Sequence, residues 1–177
     1  KKYYNIKIMA GILPISLDKN GNLLFLFGKE YFLNNEGWSD FGGSKEKNET
    51  TLQTAIREGY EETNGFFGSK NSLKINIKKY FIFKINSGTY STFLFKIKYD
   101  ENLIKYYNRN FKFILKHNNK FIENHNGFYE KSTIKWFTID EIKNNRNLFR
   151  KWYNKTIIPK IITNYHKILI KIKTTYI

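Results

Sequence analysis

The chain has 177 residues, and its 41% of hydrophobic side chains suffice for the core of one domain over residues 1–177. Its 31 lysines and arginines against 15 aspartates and glutamates leave a net charge of +16, which favours a polyanionic partner: nucleic acid, a phosphate-rich small molecule or an anionic membrane surface. The absence of cysteine excludes disulfide bonds and thiolate metal sites.

The positive charge has a second explanation. Lys, Asn, Ile, Tyr and Phe are abundant throughout the chain, as they are when a coding sequence is rich in A and T, and that bias raises the charge without selection for binding. The charge therefore indicates a class of partner and not a function.

The sequence shows neither a membrane-spanning segment nor histidines spaced as metal ligands. No apolar run approaches the roughly 20 residues of a membrane span, and no signal-type apolar segment follows the two N-terminal lysines. His117, His125 and His166 lack the spacing of a metal cluster. We therefore expect a cytoplasmic protein with no membrane partner, and the sequence does not indicate its oligomeric state.

The first elements in chain order are two apolar segments rich in strand-forming residues. They span 4–17 and 21–33 and are separated by the turn sequence DKNG, so they predict two strands joined by a turn. Thr50 and Gln53 then form a capping-box pattern, and Leu52, Ile56 and Gly59 follow at helical spacing. This pattern predicts a helix over residues 50–63.

A second pair of apolar segments, 75–85 and 89–99, flanks the turn sequence NSG and predicts a hairpin. The spacing of apolar residues favours a helix over 101–117, although the aromatic residues there also suit a strand. Alternating aromatic side chains at Phe25, Phe27, Phe81, Phe83, Phe93 and Phe95 predict buried core positions on these strands.

The last part of the chain predicts a strand over 132–139 and then helical segments that Pro159 interrupts or restarts. The order is strands, helix, strands and helices. It predicts a mixed α/β or α+β fold in which helices cover a central sheet.

The acidic helix is unusual in so basic a chain. Positions i, i+3 and i+4 share one face of a helix, so Glu58, Glu61 and Glu62 project side by side and repel one another. Mg²⁺ or Mn²⁺ would relieve this repulsion, because both prefer oxygen ligands and retain waters that substrate phosphates can replace. The alternative is an acidic stripe exposed to solvent.

The surrounding spacing favours the metal site. Gly43 is followed after five residues by Glu49, and after seven more by Arg57-Glu58, then by Glu61-Glu62. This pattern resembles the Nudix box, Gx5Ex7REUxEExGU, of the Nudix hydrolases, where U is a bulky aliphatic residue. The resemblance covers 23 residues and implies an α/β/α sandwich with a mixed central sheet, and a hydrolase that cleaves a nucleoside diphosphate linked to another group.

Two positions depart from the box. Gly59 replaces a bulky aliphatic residue, so we expect the helix to pack closer to the sheet or leave a gap that other side chains fill, at a cost of about 1 kcal/mol in helix propensity. Asn64 replaces the glycine that ends the helix, but asparagine tolerates the left-handed conformation and Gly65 follows it. The exit turn therefore remains feasible.

The resemblance implies roles for the acidic residues. Glu58 and Glu62 would be the main ligands of Mg²⁺ or Mn²⁺, with Glu61 and the carbonyl group of Gly43 as further ligands. Glu62 is the predicted general base, and Glu61 and Arg57 also belong to the predicted catalytic set.

Other residues would support these carboxylates. Arg57 would pair with Glu49 and hold the loop against the helix, while Gly42, Asn64 and Gly65 would support the site structurally. Glu130, six residues before Trp136, lies where many relatives place a further catalytic glutamate. Glu101 and Glu123 are the alternatives for that role.

The substrate lies outside what the box specifies. The sequences WSDFGG and REGYEETNG also resemble Nudix proteins of large DNA viruses, some of which remove mRNA caps, and host cytoplasm would then be the location. Three hypotheses stay open: a decapping enzyme that acts on capped RNA, a hydrolase of small nucleotides, dinucleoside polyphosphates or diphosphoinositol polyphosphates, and an inactive RNA-binding module. The intact glutamates argue against the third.

Overall fold

The computed structural model describes residues 7–32, 36–124 and 126–176. The strands are β1 (Met9–Leu17), β2 (Leu23–Glu30), β3 (Trp38–Ser39), β4 (Phe41–Ser44), β5 (Phe81–Ser87), β6 (Tyr90–Lys96) and β7 (Lys131–Thr138). The helices are α1 (Thr51–Glu62), α2 (Lys70–Lys79), α3 (Glu101–His117), α4 (Asn119–Glu123), α5 (Ile139–Asn144), α6 (Lys151–Thr156) and α7 (Ile158–Thr174), with a 3₁₀ turn at Arg146–Leu148.

The strands form one mixed sheet in the order β3-β2-β1-β6-β5, with β4 added to β1 and β7 added to β2. β1 and β6 are parallel, and the other pairs are antiparallel. The first pair of strands and the hairpin of β5 and β6 agree with the sequence prediction.

Both faces of the sheet are buried. Along β2, Leu23, Phe25 and Phe27 contribute to one core cluster, while Leu24 and Leu26 contribute to the other. Helices α5, α6 and α7 complete the first cluster, and α1, α2 and α3 complete the second. The predicted α/β/α arrangement of a mixed sheet between helices is therefore confirmed.

Some element boundaries differ from the prediction. Residues 75–79, assigned to a strand, belong to α2, because Leu73 and Ile77 are one helical turn apart and bury one face while the side chain of Ser69 caps the first turn. β3 and β4 were not predicted, since two and four residues carry too little periodicity. The helix over 101–117 is confirmed, and Pro159 lies in the first turn of α7, where it restarts the helix.

The predicted burial of six phenylalanines holds for four of them. Phe25, Phe27, Phe93 and Phe95 are buried, whereas Phe83 is half-buried and Phe81 is 37% exposed. A register shift between Phe81 and Phe83 in β5 accounts for the difference, because Ile82 and Ile85 become the buried residues of that strand.

One edge of β1 is divided between two partners. Its first residues, from Met9 to Ile12, pair with β4, and its last residues, from Ile15 to Leu17, pair with β2. β2 continues instead beside β7 and β3, so an opening lies between β4 and the end of β2. Within the described part of the chain, no helix is long and apolar enough to cross a membrane.

Candidate active site

Helix α1 is held close to the sheet by Gly59. Its N-cap Thr50 forms the predicted capping box with Gln53. A Cβ atom added to Gly59 would lie 2.4 Å from Cδ1 of Ile12 on β1, which is too close for any larger residue without movement. The predicted close approach at Gly59 is therefore present, and it brings the acidic face of α1 to the opening beside β4.

Arg57 joins the preceding loop to this helix. Its guanidinium group contacts both oxygens of Glu49 at 2.8 and 3.1 Å and donates to the carbonyl oxygen of Ser44 at 2.8 Å. The hydrogen bonds from Arg57 lower the pKa of Glu49 to about 2, although burial opposes this shift. The contact expected between these two residues is formed.

Glu62 is buried and its carboxylate is fixed from two sides. The backbone N–H of Gly42 donates to Oε2 at 2.7 Å, and Nζ of Lys131 lies 3.5 Å from Oε1. Burial raises the pKa of Glu62 well above its ordinary value, although the ammonium group of Lys131 opposes the shift. Gly42, predicted as structural support, thus contacts the predicted base directly.

Lys131 is a residue of the site that the sequence did not indicate. Its side chain is fully buried, hydrogen-bonded to Glu30 and to Oγ of Ser39 at 3.0 Å. Arg150 donates to the same Glu30 carboxylate at 2.8 Å. Burial alone would lower the pKa of Lys131, but the carboxylates of Glu62 and Glu30 raise it above its ordinary value, so the lysine is charged.

A cleft of about 550 Å³ lies at the opening between β4 and β2. Four glutamates line it: Glu30, Glu58, Glu62 and Glu130. The remaining lining residues are Met9, Gly42, Gly43, Ser44, Tyr90, Arg150 and Trp152. Glu58 lies directly against Gly43, where an added Cβ would be 2.6 Å from both carboxylate oxygens, so a larger residue would displace the Glu58 carboxylate. Burial raises the pKa of Glu58, with Arg57 opposing.

Glu61 is linked to Glu58 through Nη1 of Arg57, which also lies 2.9 Å from Oε1 of Glu58, but it faces away from the cleft. Its oxygens contact Arg57 at 3.2 Å and Lys70 at 3.0 Å, and it does not line the cleft. Across the described residues, no three acidic or histidine side chains already form a ligand set for one ion. The structure thus brings Glu58 and Glu62 together but not the complete predicted trio.

The residues of the cleft fit a hard divalent cation. Glu58 lies against the backbone of Gly43 and Glu62 accepts a hydrogen bond from Gly42, so both offer carboxylate oxygens beside β4; burial raises the pKa of each. Mg²⁺ is commonly bound by only one or two carboxylates, with water and substrate phosphates as its other ligands. Two glutamates in an open cleft meet that requirement.

The exit from α1 also positions Glu130. Asn64, which replaces the glycine of the box, has a φ of 53°, and Gly65 has a φ of 69°. Asparagine thus adopts the left-handed conformation that ends the helix. The side-chain oxygen of Asn64 accepts a hydrogen bond from the backbone of Tyr129 at 2.8 Å, a contact that glycine could not make. This contact ties the end of α1 to the residue that precedes Glu130.

The alternatives to Glu130 lie elsewhere. Glu101 is exposed in the first turn of α3, and Glu123 is exposed in α4, where it accepts a hydrogen bond from Asn119. Neither lines the cleft. Of the histidines, His117 and His166 are exposed and His125 lies outside the described residues.

A buried acid stands behind the cleft. Asp40 accepts hydrogen bonds from Oη of Tyr90 at 2.6 Å and from Oγ1 of Thr92 at 2.7 Å. Burial raises its pKa to about 6 despite these donors. Since Tyr90 also lines the cleft, this network fixes one wall, and nothing in the sequence pattern had indicated it.

Comparison with solved structures identifies the fold. An Ap4A hydrolase from C. elegans matches with a TM-score of 0.55 and 15% identity over 92% of this chain and 98% of that chain. The Nudix hydrolase RenU from M. smegmatis matches with a TM-score of 0.51 and 11% identity over 90% and 86% of the two chains. This chain has the Nudix fold.

A third structure of the same fold is part of a longer protein. It is a bifunctional NMN adenylyltransferase/ADP ribose pyrophosphatase from Francisella tularensis, complexed with AMP and a Mn ion, with a TM-score of 0.55 and 16% identity over 89% of this chain and 41% of that one. No protein-family model and no curated protein sequence matches the chain. At such low identity the likeness supports the Nudix resemblance at the level of fold, and the activity has to be argued from the site.

Proposed function

We propose that this protein is a Mg²⁺- or Mn²⁺-dependent Nudix hydrolase that cleaves the pyrophosphate linkage of a nucleoside diphosphate joined to another group. The observation that carries the proposal is the position of Glu58, Glu62 and Glu130 around one cleft. Helix α1 carries Glu58 and Glu62 to the cleft. The hydrogen bond from Tyr129 to Asn64 holds the loop that carries Glu130.

Glu58, Glu62 and the backbone of Gly43 are the groups that would hold the cation. When bound, it would neutralise charge on the phosphate oxygens and acidify the attacking water. Glu61 and Glu130 remain candidates for further or water-mediated ligands. Glu61 would first have to exchange its contacts with Arg57 and Lys70.

Glu62 is the proposed general base. The N–H of Gly42 and the ammonium of Lys131 fix its carboxylate, so one oxygen can accept a proton from a water placed in the cleft. Arg57 acts through Glu49 and Ser44 by holding the loop and helix in register, and it is a positioning residue in this proposal. At the rim, Trp152 offers a ring for a nucleobase and Arg150 a cation for phosphate.

Two substrate classes are candidates for this site. The net charge of +16 favours capped RNA, which adds a phosphate backbone to the cap. The names of the matching structures, an Ap4A hydrolase and an ADP ribose pyrophosphatase, favour the alternative of small nucleotides such as dinucleoside polyphosphates. Diphosphoinositol polyphosphates are a further small-molecule candidate and are compared with the nucleotides as substrates.

The Glu62→Gln variant tests the catalytic proposal. We expect a loss of at least about 100-fold in metal-dependent turnover, because general-base catalysis contributes roughly that much or more. The measurement is product mass after incubation with Mg²⁺ or Mn²⁺, with thermal unfolding as the check on folding. Glu123→Gln, an exposed glutamate outside the cleft, should retain full turnover. Full turnover by Glu62→Gln would refute its assignment as the base.

A substrate panel separates the two classes. Capped RNA, free cap analogue, dinucleoside polyphosphates, ADP-ribose and diphosphoinositol polyphosphates are compared at several salt concentrations. A decapping enzyme should prefer capped RNA to cap analogue, and its affinity should fall steeply as salt rises. Equal rates on capped RNA and cap analogue would contradict decapping and favour the small-nucleotide hydrolase.

A further inference from the structure

Helix α3 presents two aromatic rings and four cations to solvent. Tyr106 is 57% exposed and Phe113 is 60% exposed. The face that they share also carries Lys105, Arg109, Lys112 and Lys116, all of them exposed. We call these six residues the α3 outer face. Glu101, in the first turn, is the acidic residue of this helix.

The fold does not need these rings in its core. The opposite face of α3 buries Tyr107 and Phe111, which pack against the sheet and the neighbouring loops. The helix therefore already has its apolar contacts without Tyr106 and Phe113. Two large rings left in water between cations are better explained by a ligand that has both apolar faces and negative charge.

We propose that the α3 outer face binds single-stranded RNA. Tyr106 and Phe113 are seven residues apart, about 10 Å along the helix, and both rings are exposed enough for an unpaired base to stack on them. The ring of Phe113 also lies 4.7 Å from that of His117, which adds a third ring to this end of the surface. The cations recur at intervals of three or four residues on the same face, so they can follow a phosphate backbone. We specify RNA and not DNA because most single-stranded nucleic acid in cells is RNA.

The buried face of α3, opposite this surface, contacts the candidate active site. Oη of Tyr107 donates to the backbone oxygen of Glu62 at 2.7 Å and also contacts the backbone oxygen of Lys131 at 3.2 Å. The binding inference does not depend on hydrolysis, since it rests on α3 alone.

An anionic membrane is the competing partner for a basic helix with exposed aromatics. Binding in a membrane interface requires a continuous apolar stripe that is free to enter the lipid. The apolar stripe of α3 is buried against the protein, and on its outer face cations separate the two rings. These features favour RNA.

The contribution of Tyr106 and Phe113 is tested by measuring RNA binding directly. A fluorescent, uncapped, single-stranded RNA of 12 nucleotides is titrated against the protein, and the affinity is measured by fluorescence anisotropy. Tyr106→Ala and Phe113→Ala should each weaken binding by about tenfold, as expected for loss of one stacking platform. Ile75→Ala, at a residue 54% exposed on α2, removes an exposed apolar side chain elsewhere and should leave the affinity unchanged. Equal effects of all three variants would overturn the proposal.

The charges are tested by the salt dependence of the same binding. Lys112→Ala with Lys116→Ala should reduce the slope of log affinity against log salt by about 0.7 for each lost phosphate contact. The matched pair Lys74→Ala with Lys78→Ala, exposed on α2, removes the same charge and should not change the slope. Identical slopes for the two pairs would show that overall charge alone drives binding, which overturns a specific surface.

Two competitors complete the test. Duplex RNA should compete poorly, because its bases are stacked inside the helix and only its phosphates are available. Equal competition by duplex RNA contradicts stacking on Tyr106 and Phe113. If the ring variants weaken binding to vesicles of phosphatidylserine and phosphatidylcholine but leave RNA affinity intact, the surface is a membrane site and the RNA proposal is wrong.

Discussion

At the scale of single residues, Lys131 is the most informative side chain of the site. An ammonium group with no exposed surface is tolerated only where carboxylates compensate its charge, and Glu30 and Glu62 provide that compensation. The lysine in turn reduces repulsion among the glutamates that line the cleft. Stability and the proposed chemistry therefore depend on the same buried ion cluster.

Lys131→Met is expected to destabilise the protein by about 3–5 kcal/mol, because it leaves the buried Glu62 without its cation and Glu30 with Arg150 alone. The measurement is the free energy of unfolding in urea at neutral pH. Lys135→Met is the matched control on the same strand: Lys135 is exposed and its contact with Glu141, at 3.0 Å, should contribute less than about 1 kcal/mol. A comparable loss in both variants would contradict the role of the buried cluster.

The ion pair of Glu49 and Arg57 should make stability depend on pH. The folded-state pKa of Glu49, about 2, lies below its ordinary value of 4.5, so the pair contributes stability above about pH 4.5 and loses it as the pH falls towards 2. Urea unfolding of wild type and Glu49→Gln at pH 7, 4 and 3 measures this. Their difference should be largest at pH 7 and should shrink with acid.

The control for that experiment is Glu46→Gln. Glu46 lies 3.7 Å from Nε of Arg57, but its side chain is 67% exposed, so solvent screens the contact. Its stability difference from wild type should be small and nearly constant from pH 7 to 3. A difference for Glu49→Gln that stays constant with pH would refute the assigned pair.

At the scale of elements, the packing of α1 on β1 decides where the glutamates point. The carboxylates follow the helix, and the helix is as close to the sheet as Gly59 allows. A larger residue would lift α1 from Ile12 and move Glu58 and Glu62 away from the glycines of β4. The departure from the box at Gly59 is thus part of how this chain aligns its site.

Gly59→Ala should therefore lower stability even though alanine favours a helix. The gain in propensity, about 1 kcal/mol, is opposed by overpacking of roughly 1–3 kcal/mol against Ile12. Ile12→Val removes the Cδ1 atom that an added Cβ would meet at 2.4 Å, so the double variant should be more stable than the sum of the single effects predicts. Urea unfolding of all four proteins measures this coupling, expected at about 0.5–3 kcal/mol. Additive effects would show that Gly59 and Ile12 do not constrain each other.

At the scale of the whole molecule, the cleft results from how the sheet divides. β1 gives its first residues to β4 and its last residues to β2, and the resulting opening receives side chains from α1, β2, the loop before β7 and the segment before α6. Glu30, Glu62, Glu130 and Arg150 are far apart in sequence. Only this topology brings them to one place.

The fold also determines where the charged residues behind the net charge of +16 lie on the molecule. Four of the 15 acidic residues line the cleft, while lysines cover helices such as α2, α3 and α7. An overall excess of lysine raises the local concentration of polyanions around the whole molecule. Recognition requires more, and α3 differs from the other two in adding exposed aromatic rings to its cations.

The sequence by itself determined the features that depend on neighbours along the chain. These are the start of α1 at Thr50, the shared face of its glutamates, the turn after Glu62, and the contact of Arg57 with a glutamate eight residues away. The Nudix fold could be inferred from this segment because its spacing is local. The short apolar pattern of α2 fits both the helical and the strand period, so the sequence alone predicts a strand where the last residues of this helix lie.

The tertiary structure alone decided which charges meet. The burial of Lys131, its contacts with Glu30 and Glu62, and the Asp40 network join residues that are separated by up to 101 positions. It also directed Glu61 to Arg57 and Lys70 instead of the cleft. The physical reason is that electrostatic compensation acts through space, and the free energy of burying a charge depends on partners that packing selects.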